Sequence, residues 1–279
     1  MAHGETHDGV TLPDTRAFTL LAPESGRDYR IEVALPEAPP PAEGYPVLYL
    51  LDGNARLPLV QAARDTLSPP GPENSQLLIV AIGYPGVARF DFERRAEDYT
   101  PPQGGPEDIE GPADGADAFL AFIETRLKPE IAARFPVDRD REALFGHSYG
   151  GLFALHALMT RPASFERFIA ISPSLWWYGN RPLDTLAAQL PPAGANDVAP
   201  RVLIGVGGLE QTPREAMRGT PRAKRMRDRA MVDNARRFAD WLAERHDGWR
   251  VRFMNFPGEH HGSVMWPATR AALTFLKEP

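Results

Sequence analysis

The sequence predicts an α/β fold, a mostly parallel, eight-stranded sheet with helices on both faces. Three observations lead there. From residue 47 onward, short apolar runs alternate with longer amphipathic segments, the rhythm of strand–helix crossover units. The central runs, such as LLIVAI at 77–82, are near-continuous in Val, Ile and Leu, as strands covered on both faces are. Of the 279 residues, 43% are hydrophobic, enough for a sizeable core. No repeat, heptad or composition break divides the chain. The expectation is one domain over residues 1–279, with 1–14 a disordered tail.

The first two strands, 16–21 and 29–35, alternate in polarity (YRIEVAL), as half-exposed antiparallel strands do. Proline-rich loops at 36–46 and 67–75 punctuate the chain. Between them lie strand 47–51 and helix 55–66. Strand 77–82 is followed by GVARFDFERRAEDYTP, which reads as a loop. A helix over 113–134, strand 142–145, helix 150–160, strand 168–171 and a helix over 182–190 follow. Strand 201–206, one long helix over 222–246, strand 250–255 and helix 267–276 complete the pattern. The strands from residue 47 onward read as buried on both faces. Ligands of such sheets bind beyond the carboxyl ends of the strands, so chemistry is sought just after each central strand.

Composition excludes several classes. A net charge of −6 leaves no basic excess to neutralise phosphates, so no nucleic-acid partner is expected. With no cysteine, disulfides, thiolate metal sites and cysteine nucleophiles are out. No apolar run approaches the ~20 residues of a membrane span. The opening MAHGETHDGVTLPD lacks a basic segment followed by an apolar one. A cytoplasmic protein is expected, or a periplasmic one had a leader been removed. Metal-ligand spacing is absent, since His260 and His261 are simply adjacent. No metal and no cofactor are expected.

After the strand EALF comes Gly146-His147-Ser148-Tyr149-Gly150, which fits G-x-S-x-G, then Gly151 and an apolar helical run. The plain reading is a glycine-rich turn into a helix. The context, strand then motif then helix, favours a sharp turn that holds a nucleophilic Ser148 clear of the backbone. The N–H of Tyr149, opening the helix, would face a developing oxyanion.

A serine needs a base. His3 and His7 fall in the tail, His147 and His156 flank the turn as packing residues, and His246 ends a helix. That leaves His260 and His261, after the last strand, and both qualify by position. The acid should follow an earlier strand. Glu210 in RVLIGVGGLEQTP leads, Asp228 and Asp233 are fallbacks on a helix, and a dyad without acid is a further option. A second oxyanion donor is sought in Gly53 or Asn54, after the third strand.

At this point the residues resemble a known family. YPVLYLLDGNA, RRAEDYTPP, FGHSYGGLFAL, ISPSLWW, GVGGLEQ and GEHHGSV, in that order, are similar to the esterase-D-type α/β-hydrolases. Within that group they are most like the ferric-siderophore esterases that open enterobactin-type or bacillibactin-type trilactones. The resemblance covers about 16–276 and the shorter members, without an added N-terminal domain. It implies the α/β-hydrolase fold and an acyl-enzyme mechanism on Ser148. It also assigns the histidine of the last motif, G-E-x-H-x-S-V, to His261, with His260 in a variable slot, and it supports Glu210. The implied partner is a small-molecule ester, a ferric siderophore among the candidates. A general carboxylesterase or acyltransferase, and a non-catalytic binding protein on this fold, are the alternatives.

Two regions are candidates for substrate contacts. Arg89, Arg94 and Arg95 lie after the fourth strand. TPREAMRGTPRAKRMRDR gathers Arg214, Arg218, Arg222, Lys224, Arg225, Arg227 and Arg229 against Glu215 and Asp228. The latter is either a solvated helical face or a patch steering an anion. Trp176 and Trp177 offer flat aromatic surface after the sixth strand, though one of the two is expected in the core.

Overall fold

In the computed structural model, which describes residues 11–67, 76–101, 114–178, 199–246 and 248–278, eight strands form one sheet. They are β1 (Thr15–Ala22), β2 (Arg27–Ala34), β3 (Tyr45–Leu50), β4 (Leu78–Gly83), β5 (Val137–His147), β6 (Arg167–Ile171), β7 (Arg201–Gly207) and β8 (Arg250–Phe256). Their order is β1-β2-β4-β3-β5-β6-β7-β8. β1 and β2 are antiparallel to each other, and β2 is antiparallel to β4. From β4 through β8 every pairing is parallel. The arrangement is an α/β-hydrolase-like sheet. β4 and β6 are buried at every position. The runs LIVAI of β4 and FIAI of β6 suit strands covered on both faces, and the buried Arg167 that opens β6 donates to the Phe275 carbonyl at 2.5 Å.

Helices cover both faces. α1 (Gly53–Leu67) and α8 (Met265–Phe275) lie on one face, through Leu57, Val60, Met265, Ala268 and Leu273 against Leu48, Ile79, Phe145 and Ile169. The other face carries α2 (Phe92–Tyr99), α3 (Ala116–Phe122), α4 (Lys128–Arg134), α5 (Tyr149–Thr160) and α7 (Met231–Arg245). Their Tyr99, Phe119, Phe153 and Phe238 pack on Tyr49, Val80 and Leu144. Each such fully buried side chain contributes roughly 1.5–3 kcal/mol. α6 (Pro221–Arg229) buries Ala223 alone.

Four expectations need correction. The segment after β4 is not a loop, because Asp91 caps α2 by accepting from the Arg94 N–H at 3.0 Å. The helix expected over 113–134 contains a π-turn at Ile123–Leu127, where the Lys128 N–H reaches the Ile123 carbonyl. The cause is Pro129, which has no N–H and whose ring crowds the carbonyl four residues back; the wider turn makes room. The helix expected over 222–246 breaks at Ala230, which is left-handed at φ 42° and ψ 45°. α7 must lay Phe238 and Leu242 on the core, and the break lets α6 leave that direction. Finally, β8 is not buried on both faces, since it is the sheet edge and Arg250, Arg252 and Asn255 are exposed. The helix expected at 182–190 lies outside the described residues, as do residues 1–10 of the expected tail. Closer in, the Asp14 carbonyl accepts from the Leu35 N–H at 2.9 Å.

The topology brings the residues after β3, β5, β6, β7 and β8 to one edge of the sheet. Asp52, Ser148, Ser172, Glu210 and His261 all sit there.

Candidate active site

β5 runs directly into Ser148, and α5 starts at the next residue. The chain reverses so sharply that Ser148 takes φ 62° and ψ −118°, a conformation that costs a non-glycine residue about 1–3 kcal/mol. Three backbone bonds hold it. The Ser148 N–H donates to the Ile171 carbonyl at 2.9 Å, and the Ser148 carbonyl accepts from Leu152 at 2.9 Å and Ser174 at 3.2 Å. The glycines differ in what they permit. A Cβ on Gly146 would stand 2.0 Å from the Gly150 carbonyl oxygen, which is impossible. One on Gly151 would press on the Ile171 carbonyl oxygen at 2.9 Å, whereas one on Gly150 would make ordinary contact at 3.4 Å.

The serine meets a continuous line of partners. Ser148 Oγ is 3.0 Å from His261 Nε2, and His261 Nδ1 is 2.6 Å from Glu210 Oε2. A carboxylate only accepts, so Nδ1 carries the proton and the bare Nε2 faces the hydroxyl. Glu210 is buried, and its other oxygen is occupied too. Oε1 accepts from Ser172 Oγ at 2.5 Å and from the Gly207 N–H at 2.7 Å. Ser172, with φ 47°, is fully buried at the end of β6. The signal for it in the sequence is ISPS, which follows a central strand as GHS does. Gln211 fastens the same loop to α7, donating to Asp233 Oδ2 at 2.6 Å and accepting the Asp233 N–H at 3.0 Å.

His147 also does more than pack. Its Nε2 lies 2.8 Å from the His261 carbonyl oxygen and its Nδ1 lies 3.1 Å from Arg56 Nη2. A carbonyl only accepts and a guanidinium only donates, so His147 is the neutral tautomer with its proton on Nε2. Burial, then the nearby His261 and Arg56, push this imidazole well below its usual range. The second histidine of the pair, His260, also lines the cavity of Ser148, but its Nδ1 serves the local turn. Its Nδ1 accepts from the Gly262 and Ser263 N–H groups at 3.1 and 3.3 Å, shaping the turn into α8.

The remaining candidates separate. Asp228 pairs with Lys224 at 2.8 Å and Asp233 with Gln211, away from His261. Tyr149 opens α5, so its N–H lies at the positive end of that helix. Gly53 and Asn54 open α1. Gly53 is packed on β4, where a Cβ would come within 2.9 Å of the Ala81 carbonyl carbon, and Asn54 Nδ2 donates to the Tyr84 and Val87 carbonyls. Arg95 departs from the expectation of a substrate contact. It is buried, and its Nε and Nη2 donate to Asp52 Oδ1 and Oδ2 at 2.8 and 2.9 Å. The turn before α1 is thereby fixed, with Asp52 at φ 55°. Arg94 is half-buried, its guanidinium lying over the rings of Tyr29 and Tyr84. Arg89 is exposed beside Phe90. Trp177 is buried edge-on to Tyr149, while Trp176 is half-buried beneath Arg229.

Ser148 and His261 open into a cavity of about 580 Å³ that is also lined by Tyr149, Ser174, Trp176, Leu209 and residues of α6. That suits a small organic molecule. A smaller cavity of about 200 Å³ lies at the opposite edge of the sheet, around Val47, Arg141 and Arg167, far from this chemistry. Among the described residues, no group of three or more His, Asp or Glu side chains could hold a metal ion. No helix among them is long and apolar enough to cross a membrane.

A hydroxyl, an imidazole and a buried carboxylate in this order can perform acyl transfer. Comparison with known proteins agrees in kind. Residues 22–260 match the family "Esterase", described as "Putative esterase". The chain is 34% identical to a Bacillus subtilis protein named ferri-bacillibactin esterase BesA, over 99% of this chain and 94% of that one. It is 36% identical to an Aspergillus fumigatus protein named siderophore triacetylfusarinine C esterase, over 99% and 97%. The crystal structure of the BES protein from Bacillus cereus superposes with a TM-score of 0.81 at 30% identity, over 99% of this chain and all of that one.

Proposed function

The chain belongs to the Esterase family, and on that premise we propose that it hydrolyses the ester bonds of a siderophore trilactone through an acyl-enzyme on Ser148. One observation carries the reading, the unbroken line Ser148 Oγ, His261, Glu210 at 3.0 and 2.6 Å.

In the proposed reaction Ser148 Oγ attacks an ester carbonyl carbon while His261 Nε2 takes its proton. Glu210 holds the ring and stabilises the imidazolium. The carbonyl oxygen gains charge and is met by the N–H of Tyr149 and an N–H of the Gly53–Asn54 turn. Collapse breaks the ester C–O bond, and His261 returns the proton to the departing alkoxide. The acyl group, still tethered to the opened ring, stays on Ser148. Water then repeats the attack with His261 as base, releasing a carboxylic acid and restoring the serine. No metal or cofactor takes part in these steps.

The substrate class draws on the names of the relatives and on a cavity large enough for one arm of a trilactone beside Ser148. The experiment is mass spectrometry of products from an enterobactin-type trilactone, set beside p-nitrophenyl esters. Stepwise appearance of linear trimer, dimer and monomer supports the proposal. Turnover of the p-nitrophenyl esters alone would replace it with a general carboxylesterase.

A further inference from the structure

α6 is unlike the other helices of the cavity. Positions 222, 225, 226 and 229 follow the spacing of a single helix face, and that face lines the cavity together with Ser148 and His261. An inward face is ordinarily apolar, yet Arg222, Arg225 and Arg229 occupy three of its four positions, with Met226 the fourth. Like charges at this spacing oppose helix formation, so folding does not account for them. Arg222 and Arg225 are exposed at the cavity wall. Arg229 has its Cζ 4.1 Å from the Trp176 ring centre, which holds a cation over the aromatic surface at the mouth. Of the nearby acids, Asp228 pairs with Lys224 off the lining face and Glu215 lies beside Arg218. Glu210, the carboxylate of the cavity lining, is buried and bonded to His261, Ser172 and Gly207. A concentration of positive charge thus lines the cavity that holds the serine, in a protein of net charge −6.

Building on the proposed function, we infer that this face of α6 is a charge filter that selects the metal-loaded, anionic form of a catecholate trilactone over its metal-free form. The chemistry follows from counting. Three doubly deprotonated catechols around one ferric ion leave a net charge of minus three, whereas the metal-free catechols keep their protons at neutral pH. The scissile esters are the same in both, so Ser148 cannot tell them apart. Arginines lining the same cavity can, and the flat face of Trp176 offers a catechol ring a surface to lie on.

The test measures kcat/KM for ferric and metal-free enterobactin-type trilactone on the full chain. Wild type is compared with Arg225→Gln, Arg222→Gln/Arg225→Gln, Arg225→Lys and, as a control of equal charge change off the cavity, Lys224→Gln. Thermal melting checks each fold. The expected result is a wild-type preference for the ferric form. Each arginine lost should lower the ferric-to-free ratio by about three- to tenfold, and added salt should do the same. Arg225→Lys should restore most of the ratio, and the gallium(III) complex, of equal charge, should behave as the ferric one. The inference is overturned by a wild-type preference for the metal-free form, by equal losses on both substrates, or by an effect of Lys224→Gln as large as that of Arg225→Gln. Cleavage of neither form, with Ser148 still labelled by a fluorophosphonate, would instead remove the substrate reading and this inference with it.

Discussion

The imidazole Nε2 of His147 sits 2.8 Å from the carbonyl oxygen of His261. The residue before the serine therefore holds the backbone of the histidine that faces the serine. The two rings lie 4.6 Å apart between centres, and Arg56 fixes the far nitrogen of His147. The turn after β5 and the loop after β8 are thus tied together by one neutral imidazole.

Removing that tie should loosen the base without touching the substrate. His147→Asn is expected to lower kcat by about ten- to hundredfold with KM little changed, as small misplacements of reacting groups do. Steady-state kinetics on any turned-over ester checks this. A normal kcat would mean that His261 needs no help from His147.

The acid has its own support. Glu210→Gln is expected to lower kcat by about 10³–10⁴, because an amide can present its N–H to His261 and favour the wrong tautomer. Ser172→Ala removes one of the two bonds to Oε1 and should cost about tenfold in kcat, with no penalty from φ, since alanine tolerates 47° no worse than serine. Wild-type kinetics in Ser172→Ala would make that hydroxyl a packing group only.

The glycines of the elbow should be unequal. Gly146→Ala drives a methyl into the Gly150 carbonyl and is expected to destabilise by more than about 3 kcal/mol or to prevent folding. Gly150→Ala places its methyl at 3.4 Å from Leu51 and should cost under about 1 kcal/mol. Chemical denaturation of the pair decides, and equal stabilities would contradict the geometry.

Much of this site could be read before any coordinates, and the reason is local. The turn at Ser148 is encoded by contiguous residues, and the ends of β3 to β7 announce themselves by apolar runs stopping at Gly, Asp or Ser. What escaped the sequence depends on residues far apart in the chain. His147 looked like packing because its partners, Arg56 and the carbonyl of residue 261, lie 91 and 114 positions away. Arg95 looked like a ligand contact because nothing local shows that Asp52 is waiting for it. The break at Ala230 was hidden by good helix formers on both sides, and only the demand of α7 for the core makes it necessary. His260 and His261 were equivalent by position, and hydrogen bonding separates them.

One buried acid away from the site should leave a signature in stability. Burial raises the Asp98 carboxyl from 3.8 to about 6, against the opposing pull of the Tyr29 and Tyr84 hydroxyls and Arg94. In the window from about pH 4 to 6 the folded state binds a proton that the unfolded state does not, so this group makes stability fall as pH rises. Above that window the penalty is on the order of 3 kcal/mol. Asp98→Asn mimics the neutral form. Its melting temperature relative to wild type should therefore be higher at about pH 7.5 than at about pH 4.5. A difference independent of pH would show that Asp98 does not titrate in this range.

The most direct test of the account is reaction with a fluorophosphonate followed by peptide mass spectrometry. The expected outcome is one phosphonylated residue, Ser148, with a labelling rate that drops by about 10³ or more in His261→Ala, since an unassisted hydroxyl is a poor nucleophile. Label on another residue, or an undiminished rate without His261, would contradict it.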